Sequence, residues 1–276
     1  MAALMTSSQH FLINGRSEVT LSPIDRGFTY GDGVFRTLRV HRGIPDTWAL
    51  QYRKLVEDCN VLGIVCPGAE LLLADIERLF TPEEEAVAKI IITRGEGARG
   101  YAVPSLAQPT RVVIKTPFPD YPQANFIEGV KLHLCSLRLP YQPVLAGVKH
   151  LNRLENVMAR MEWTDSAIAD GLLLDEHGHA IECTTSNVFA RFDKTLATPK
   201  LDKCGVAGVT RQRILEAAST LGYHPEVTLM PLVKLMQADE LITCNSLYGA
   251  WQVRTFNGRQ WQQQGLAAQL RNILQG

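Results

Sequence analysis

Ala146-Gly147-Val148-Lys149-His150-Leu151-Asn152-Arg153-Leu154-Glu155 is the stretch on which the reading of this chain turns. The apolar run before it, Pro143-Val144-Leu145-Ala146, reads as an extended segment delivering Lys149 to the start of a helical pattern over about 150–163. A lysine at a strand end, beside a glycine-flanked turn, can point inward instead of carrying its amine out to water. Burying an ammonium is costly unless it is paired or neutralised. Its ordinary pKa of about 10.4 must fall before the amine is a nucleophile near neutral pH. The chemistry that uses such an amine is a Schiff base with a carbonyl. On position alone a solvated lysine opening a helix is the commoner case, so the weight falls on the segments around it.

Two segments downstream carry chemistry of a matching kind. Glu182 follows a hairpin (Asp175 to Ala180) and precedes Cys183-Thr184-Thr185-Ser186-Asn187. A carboxylate at a strand end can hold a cationic ring nitrogen, and a run of hydroxyls suits phosphate oxygens; Thr and Ser also simply suit a strand–turn boundary. Gly205-Val206-Ala207-Gly208-Val209-Thr210-Arg211 sets glycine and threonine before a helical pattern over about 210–222. The free N–H groups of a helix start bind phosphate, assisted by the macrodipole; an ordinary Thr N-cap would use the same residues. Thr243-Cys244-Asn245-Ser246 ends an apolar run in polar side chains and could complete such a cradle. Upstream, Thr93-Arg94-Gly95-Glu96-Gly97-Ala98-Arg99-Gly100-Tyr101 is a glycine-rich loop with two arginines, whose planar forks suit carboxylates. It lacks the Lys-Ser/Thr of a phosphate loop, and a flexible hairpin with solvated arginines is the alternative.

The remaining features bound the fold. Phe11-Leu12-Ile13 running into Asn14-Gly15 reads as a strand entering a tight turn. Val34 to His41 alternates apolar and polar positions, and helical patterns follow at about 47–62 and 69–80. Val87 to Thr93, Thr110 to Lys115, Val130 to Cys135, Gly171 to Leu174, Asn187 to Phe192 and Leu241 to Cys244 read as strands, with a last helical pattern at about 264–275. Thr116-Pro117-Phe118-Pro119-Asp120-Tyr121-Pro122-Gln123 carries three prolines in six residues, which neither a helix nor a central strand accepts. The expectation is an α+β chain of two domains, residues 1–117 and the larger 128–276 with Lys149, joined by a linker at 118–127.

Among 276 residues, Lys+Arg and Asp+Glu both number 28, so no net field draws in nucleic acid or an acidic membrane. No stretch approaches the ~18–20 apolar residues of a membrane span, and Met1 to His10 lacks a secretory pattern. The six cysteines are scattered and read as small buried hydrophobes of a reducing compartment, so a cytoplasmic location is expected. Neither they nor the seven histidines show metal-ligand spacing, and no metal is expected.

Taken in order, these segments resemble the fold-type IV pyridoxal-phosphate enzymes, the group of branched-chain aminotransferases, D-amino-acid aminotransferases and aminodeoxychorismate lyases. The residues that carry the resemblance are Asp25-Arg26-Gly27, Tyr30-Gly31-Asp32-Gly33-Val34-Phe35, the Lys149 segment, Glu182 with Ser186-Asn187, and Gly208-Val209-Thr210-Arg211. Lys149 to Glu155, Arg94 to Tyr101 and Ala238-Asp239-Glu240 with Cys244-Asn245 look like the lyases within that group. The resemblance implies a pyridoxal 5′-phosphate enzyme, a homodimer, and conversion of 4-amino-4-deoxychorismate to 4-aminobenzoate and pyruvate on the way to folate; an aminotransferase of the same fold is the rival reading. It further implies Lys149 as the cofactor lysine and proton carrier, Thr37 as its catalytic partner, and Glu182 on the ring nitrogen. Ser186, Val209, Thr210, Ser246 and Lys54 are implied at the phosphate, and Arg99 and Tyr30 at substrate carboxylates. Lys54 stands where the family's helix pattern has an arginine, with Arg53 one residue earlier; about 100° of helix separates them, so both cannot face one phosphate equally.

Overall fold

The computed structural model describes residues 10–275, so the leader reading of the N-terminus lies, His10 apart, outside the described residues. Two compact units divide the chain: residues 1–119 with 149–152, and residues 120–148 with 153–276. Two expectations are corrected here. Lys149 belongs with the first unit and not with the larger second one, and residues 120–127 are part of the second unit and not a free linker.

The first unit runs β1 (Phe11–Ile13), α1 (Arg26–Tyr30), β2 (Gly33–His41), β3 (Ile44–Pro45), α2 (Trp48–Leu62), α3 (Ala69–Leu79), β4 (Glu85–Thr93) and β5 (Thr110–Pro117). Its five strands form an antiparallel sheet in the order β1-β5-β4-β2-β3. The period of two in β2 decides its faces: Val34, Arg36, Leu38 and Val40 are buried, while Phe35, Thr37 and Arg39 are half-exposed. Helix α2 packs on β2, and α3 on β1 and β5. On α3 the buried residues Leu72, Asp75, Ile76 and Leu79 follow the i, i+3, i+4, i+7 spacing of one helix face. Each helix buries one aspartate opposite a sheet arginine: Asp58 pairs with Arg36, and Asp75 Oδ2 accepts from Arg111 Nε at 2.7 Å. Such pairs are neutral or costly in energy beside an apolar substitute, but they reject wrong registers.

Residues 149–152 complete this sheet. Phe35 donates its N–H to the Lys149 carbonyl at 2.9 Å, Leu151 donates to the Gly33 carbonyl at 2.9 Å, and His150 bridges Val34. Gly33 makes room for the added segment, since a Cβ there would come within 2.5 Å of the Ile92 carbonyl and 2.8 Å of Leu151. The helix expected from residue 150 begins only at Leu154, because the backbone before it is already engaged in strand-type bonds.

The second unit runs α4 (Gln123–Ile127), β6 (Val130–Leu139), α5 (Leu154–Arg160), β7 (Ile168–Asp175), β8 (Ala180–Cys183), β9 (Asn187–Phe192), β10 (Thr195–Pro199), α6 (Val209–Ala217), β11 (His224–Thr228), α7 (Leu232–Leu235), β12 (Glu240–Asn245), β13 (Gly249–Phe256), β14 (Arg259–Gln260) and α8 (Leu266–Gln275). Its sheet is mixed, in the order β11-β10-β9-β12-β13-β6-β7-β8, with β14 hairpinned onto β13. Central strands β9 and β12 are buried on both faces, which is why they read as continuous apolar runs instead of alternating ones. One face packs Val188, Ala190 and Leu241 against Tyr248 and Trp251, whose rings stack at 3.6 Å. The other packs Phe189 and Ile242 against Ile214 of α6 and Leu270 of α8. The whole architecture is α+β, as expected from the sequence.

A single carboxylate ties the first unit's glycine-rich loop to its sheet. Asp32 accepts from Arg26 Nε at 2.8 Å and, in a bidentate pair, from Arg94 Nε at 2.7 Å and Nη2 at 3.0 Å. Burial works against its charge, yet the hydrogen bonds and charges of Arg94 and Arg26 hold its carboxyl below the ordinary value. Asp32→Asn leaves two buried guanidinium groups without their counter-charge and is expected to lower unfolding free energy by about 3–5 kcal/mol. The stabilisation is present above the ordinary carboxylate pKa of about 3.9 and is lost as pH falls through the lower value of the folded state. Urea unfolding should therefore separate wild type from variant at neutral pH and bring them together in strong acid; equal stability at neutral pH would overturn the assignment.

Candidate active site

In the first unit the Lys149 backbone is held on two sides. Its carbonyl accepts from Phe35, and its N–H points to Asp58 Oδ2 at 3.3 Å. The side chain then runs over the Phe35 ring, with Nζ 4.6 Å from the ring centre. The segment Pro143–Ala146 that was expected to be an extended lead-in is instead a turn, closed by Leu145 and Ala146 N–H bonds to the Gln142 carbonyl at 2.9 and 3.1 Å. Lys149 is thus positioned by β2 and Asp58, not by a strand of its own.

Thr37 lies two residues beyond Phe35, on the same half-exposed face of β2. Its antiparallel partner is Lys89 of β4, whose Nζ lies 5.0 Å from the same Phe35 ring. Two lysine amines therefore flank the Phe35 ring, with Thr37 on the same strand face. Lys89 was not found by sequence reasoning; its place in a strand, opposite Thr37, is visible only once the register is known.

Asp58 also explains the α2 cations. Fully buried, it pairs with both Arg36 and Lys54, one turn earlier on its own helix. Lys54 therefore shares its carboxylate partner with the Lys149 backbone, whereas Arg53 is exposed and faces Glu57 at 3.9 Å. Tyr30 accepts the Gly100 N–H at 3.0 Å and packs its ring 5.4 Å from that of Tyr101. Arg26 holds the Gly100, Tyr101 and Ala102 carbonyls of the same loop. Of the loop's two arginines, Arg94 directs its fork to Asp32 and to the Leu62 and Gly63 carbonyls, so it is not open to a ligand. Arg99 is exposed.

In the second unit Glu182 ends β8 nearly buried, and its Oε2 accepts the Val206 N–H at 2.8 Å. Asn187 grips the same turn, donating to the Val206 carbonyl at 2.8 Å and accepting the Gly208 N–H at 3.2 Å. These bonds aim the start of α6. Its N-cap is Gly208, not Thr210, so the first N–H groups of the helix have no side-chain cap and no intrahelical acceptor. The Thr210 hydroxyl instead meets the Ser246 hydroxyl at 3.3 Å, bringing two sequence-distant hydroxyls to one helix start. Arg211, next in the motif, faces inward to Thr198 Oγ1 and the Pro199 carbonyl, and burial lowers its pKa.

The hydroxyl run after Glu182 converges on a residue that sequence reasoning missed. Asp170 Oδ1 accepts from Thr184 Oγ1 at 2.5 Å, and Oδ2 accepts from Thr185 Oγ1 and Ser186 Oγ, both at 2.8 Å. Ser186, expected at a phosphate, gives its hydroxyl hydrogen to this buried carboxylate. The only local signal was Ala169-Asp170-Gly171 interrupting a strand pattern.

Comparison with known proteins gives the same grouping. The model of the amino-transferase class IV family matches residues 33–256. Aminodeoxychorismate lyase of Vibrio harveyi is 36% identical over 87% of this chain and 88% of its own length. The crystal structure of 4-amino-4-deoxychorismate lyase from Pseudomonas aeruginosa superposes with a TM-score of 0.91 at 41% identity, covering 96% of this chain and 98% of that one. A hypothetical aminotransferase from Mycobacterium tuberculosis in its PLP-bound form shares the fold at 20% identity and a TM-score of 0.80, over 96% of this chain and 97% of the other. Lysine, buried glutamate and hydroxyl-lined helix start stand within the matched span, and the chain belongs to the amino-transferase class IV family.

Proposed function

We propose that this chain converts 4-amino-4-deoxychorismate to 4-aminobenzoate and pyruvate, using pyridoxal 5′-phosphate attached through Lys149. The observation that carries the proposal is the placement of Lys149: backbone fixed by Phe35 and Asp58, amine laid over the Phe35 ring, Thr37 on the same strand face. The similarity to two aminodeoxychorismate lyases supports the choice of reaction.

The residues fit such a cofactor. Glu182 offers a buried carboxylate to a pyridinium nitrogen, and its other bond fixes it in place. Backbone groups of Val209 and Thr210, with the Thr210 and Ser246 hydroxyls, make a donor set for phosphate at the start of α6. Lys54 is the α2 cation assigned to that phosphate, while Ser186 serves by fixing the loop after Glu182 to Asp170.

When bound, pyridoxal phosphate supplies a protonated aromatic ring that accepts the electron pair left on the substrate carbon bearing nitrogen. Lys149, its amine displaced by that of the substrate, takes the proton from this carbon. A positioned acid–base group of this kind contributes typically ~10²–10⁴-fold. Lys149 or Thr37 returns a proton to the departing enolpyruvyl group, completing pyruvate. Aromatisation of the remaining ring drives the step forward, and no keto-acid acceptor is needed. Arg99, Tyr30 and Lys89 are assigned to the substrate carboxylates.

A homodimer and a cytoplasmic place in folate synthesis complete the proposal. Helix α5 leaves Leu154, Val157, Met158 and Met161 between 52% and 76% exposed at i, i+3, i+4 and i+7 spacing, an apolar stripe suited to a second copy.

Fluorescence should detect 4-aminobenzoate when the purified protein meets 4-amino-4-deoxychorismate. Faster, sustained amino transfer from D-alanine or a branched-chain amino acid to 2-oxoglutarate would reject the lyase reading in favour of an aminotransferase. Lys149→Ala should abolish both turnover and the visible absorbance of the bound cofactor; a wild-type protein that stays colourless with added pyridoxal phosphate would refute the cofactor assignment. Met158→Glu should shift the molecular mass seen by light scattering from dimer towards monomer, and an unchanged mass would remove α5 from the interface.

A further inference from the structure

Cys59 and Cys66 take no part in the proposed reaction, yet they form a matched pair. Cys59 is buried on the last turns of α2, and Cys66 is half-buried in the connector 63–68 leading to α3. Each thiol lies close enough to the other for each to shift the other's pKa, and Tyr52 and Cys59, seven residues apart, share the helix face over which the connector returns. The backbone explains why residues seven apart meet. Helix α2 ends at Gly63, φ +63°, where Gly63 N–H reaches the Asn60 carbonyl at 3.0 Å and Ile64 N–H reaches the Cys59 carbonyl at 2.9 Å. The chain therefore doubles back over the helix end, and Tyr52 Oη donates to the Pro67 carbonyl at 3.1 Å, pinning the residue after Cys66.

We propose that Cys59 and Cys66 are a modification site at which a hydroperoxide forms a reversible intramolecular disulfide. The two thiols are unequal. Cys66 accepts the hydrogen bond of Cys59, which lowers its pKa against the effect of burial. Cys59 is raised, first by holding its proton in that bond and then by burial. Cys66, half-buried on the connector where Cys59 is fully buried, is the thiol a hydroperoxide reaches first. Its sulfur forms a bond to one peroxide oxygen as the O–O bond breaks, and the other oxygen leaves as water, giving Cys66 sulfenic acid. The Cys59 sulfur then attacks the Cys66 sulfur, the S–O bond breaks, and a second water leaves. Two thiols and one hydrogen peroxide become one disulfide and two waters, with the electron pair passing from sulfur to oxygen. The remaining cysteines, Cys135, Cys183, Cys204 and Cys244, are each buried with thiols pushed up by burial, which leaves them poorly reactive.

The bond needs an S–S distance of about 2.05 Å, shorter than any hydrogen-bonded contact, so the connector must shift. It has room to do so. Gly63 and Gly68 bracket it, a Cβ on either would meet nothing within 4 Å, and Val65 between them is 74% exposed. Arg94 meanwhile anchors the Leu62 and Gly63 carbonyls, so the helix end stays while the connector closes.

The test treats the full chain with hydrogen peroxide, alkylates it in denaturant and maps the peptides. A Cys59–Cys66 linked peptide, lighter by two hydrogen atoms and reversed by dithiothreitol, is expected, and dimedone present during oxidation should label Cys66. In Cys66→Ser, Cys59 should remain fully alkylated after the same treatment. Linkage to a different cysteine, dimedone on Cys59, or both thiols still reduced in the wild type would each overturn the proposal. The wild-type map decides the matter even if the variant fails to fold.

Discussion

Three backbone residues laid along the start of β2 set the terms for the rest of the first unit. Once Lys149, His150 and Leu151 pair with Gly33, Val34 and Phe35, the lysine side chain starts beside β2 and passes over the Phe35 ring. The pairing dictates glycine at position 33, because any side chain there would strike the Ile92 carbonyl or Leu151. It also delays α5 to Leu154, since residues held in strand-type pairing cannot at the same time take helical dihedrals. A buried Asp58 then receives the Lys149 N–H, together with Arg36 and Lys54, so the surroundings of one amine are fixed from strand and helix at once.

Carboxylates acting inside the protein recur as the device that orders its polar loops. Asp32 gathers Arg26 and Arg94 and thereby shapes the glycine-rich loop; Asp170 gathers three hydroxyls after Glu182; Glu182 and Asn187 together aim the start of α6. The Asp32 and Asp170 carboxylates face side chains of their own unit, and Asn187 faces the backbone before α6.

Much of this was legible in the sequence where the information is local. Alternation in Val34 to His41 and the i, i+3, i+4 pattern of α3 gave their elements because the burial that selects those residues acts within each element. Lys149, Glu182 and the Gly-Val-Thr turn stood out through neighbouring residue types. The lost items are those whose partner is distant. Pro143–Ala146 looked extended, yet its apolar side chains are largely solvated and the backbone closes a turn through Gln142. Arg94 looked like a ligand group until Asp32, 62 residues away, proved to hold it. Asp58 gave no sequence signal and Asp170 only an interrupted strand pattern, because a single aspartate does not reveal which cations or hydroxyls will reach it.

The return of residues 149–152 to the first unit has a consequence for how the chain is made. Residues 10–119 leave the ribosome as a nearly complete sheet with its helices, but the edge of that sheet beside Gly33 stays open until residue 152 has emerged. Contacts of such sequence separation form late, because the loop between them must close first. During synthesis the start of β2, paired with β4 on one side only, keeps an open edge with the association hazards that unfinished sheets carry. The segment that carries Lys149 is the last piece of the first unit to arrive, so a truncated product can build most of this scaffold without that lysine.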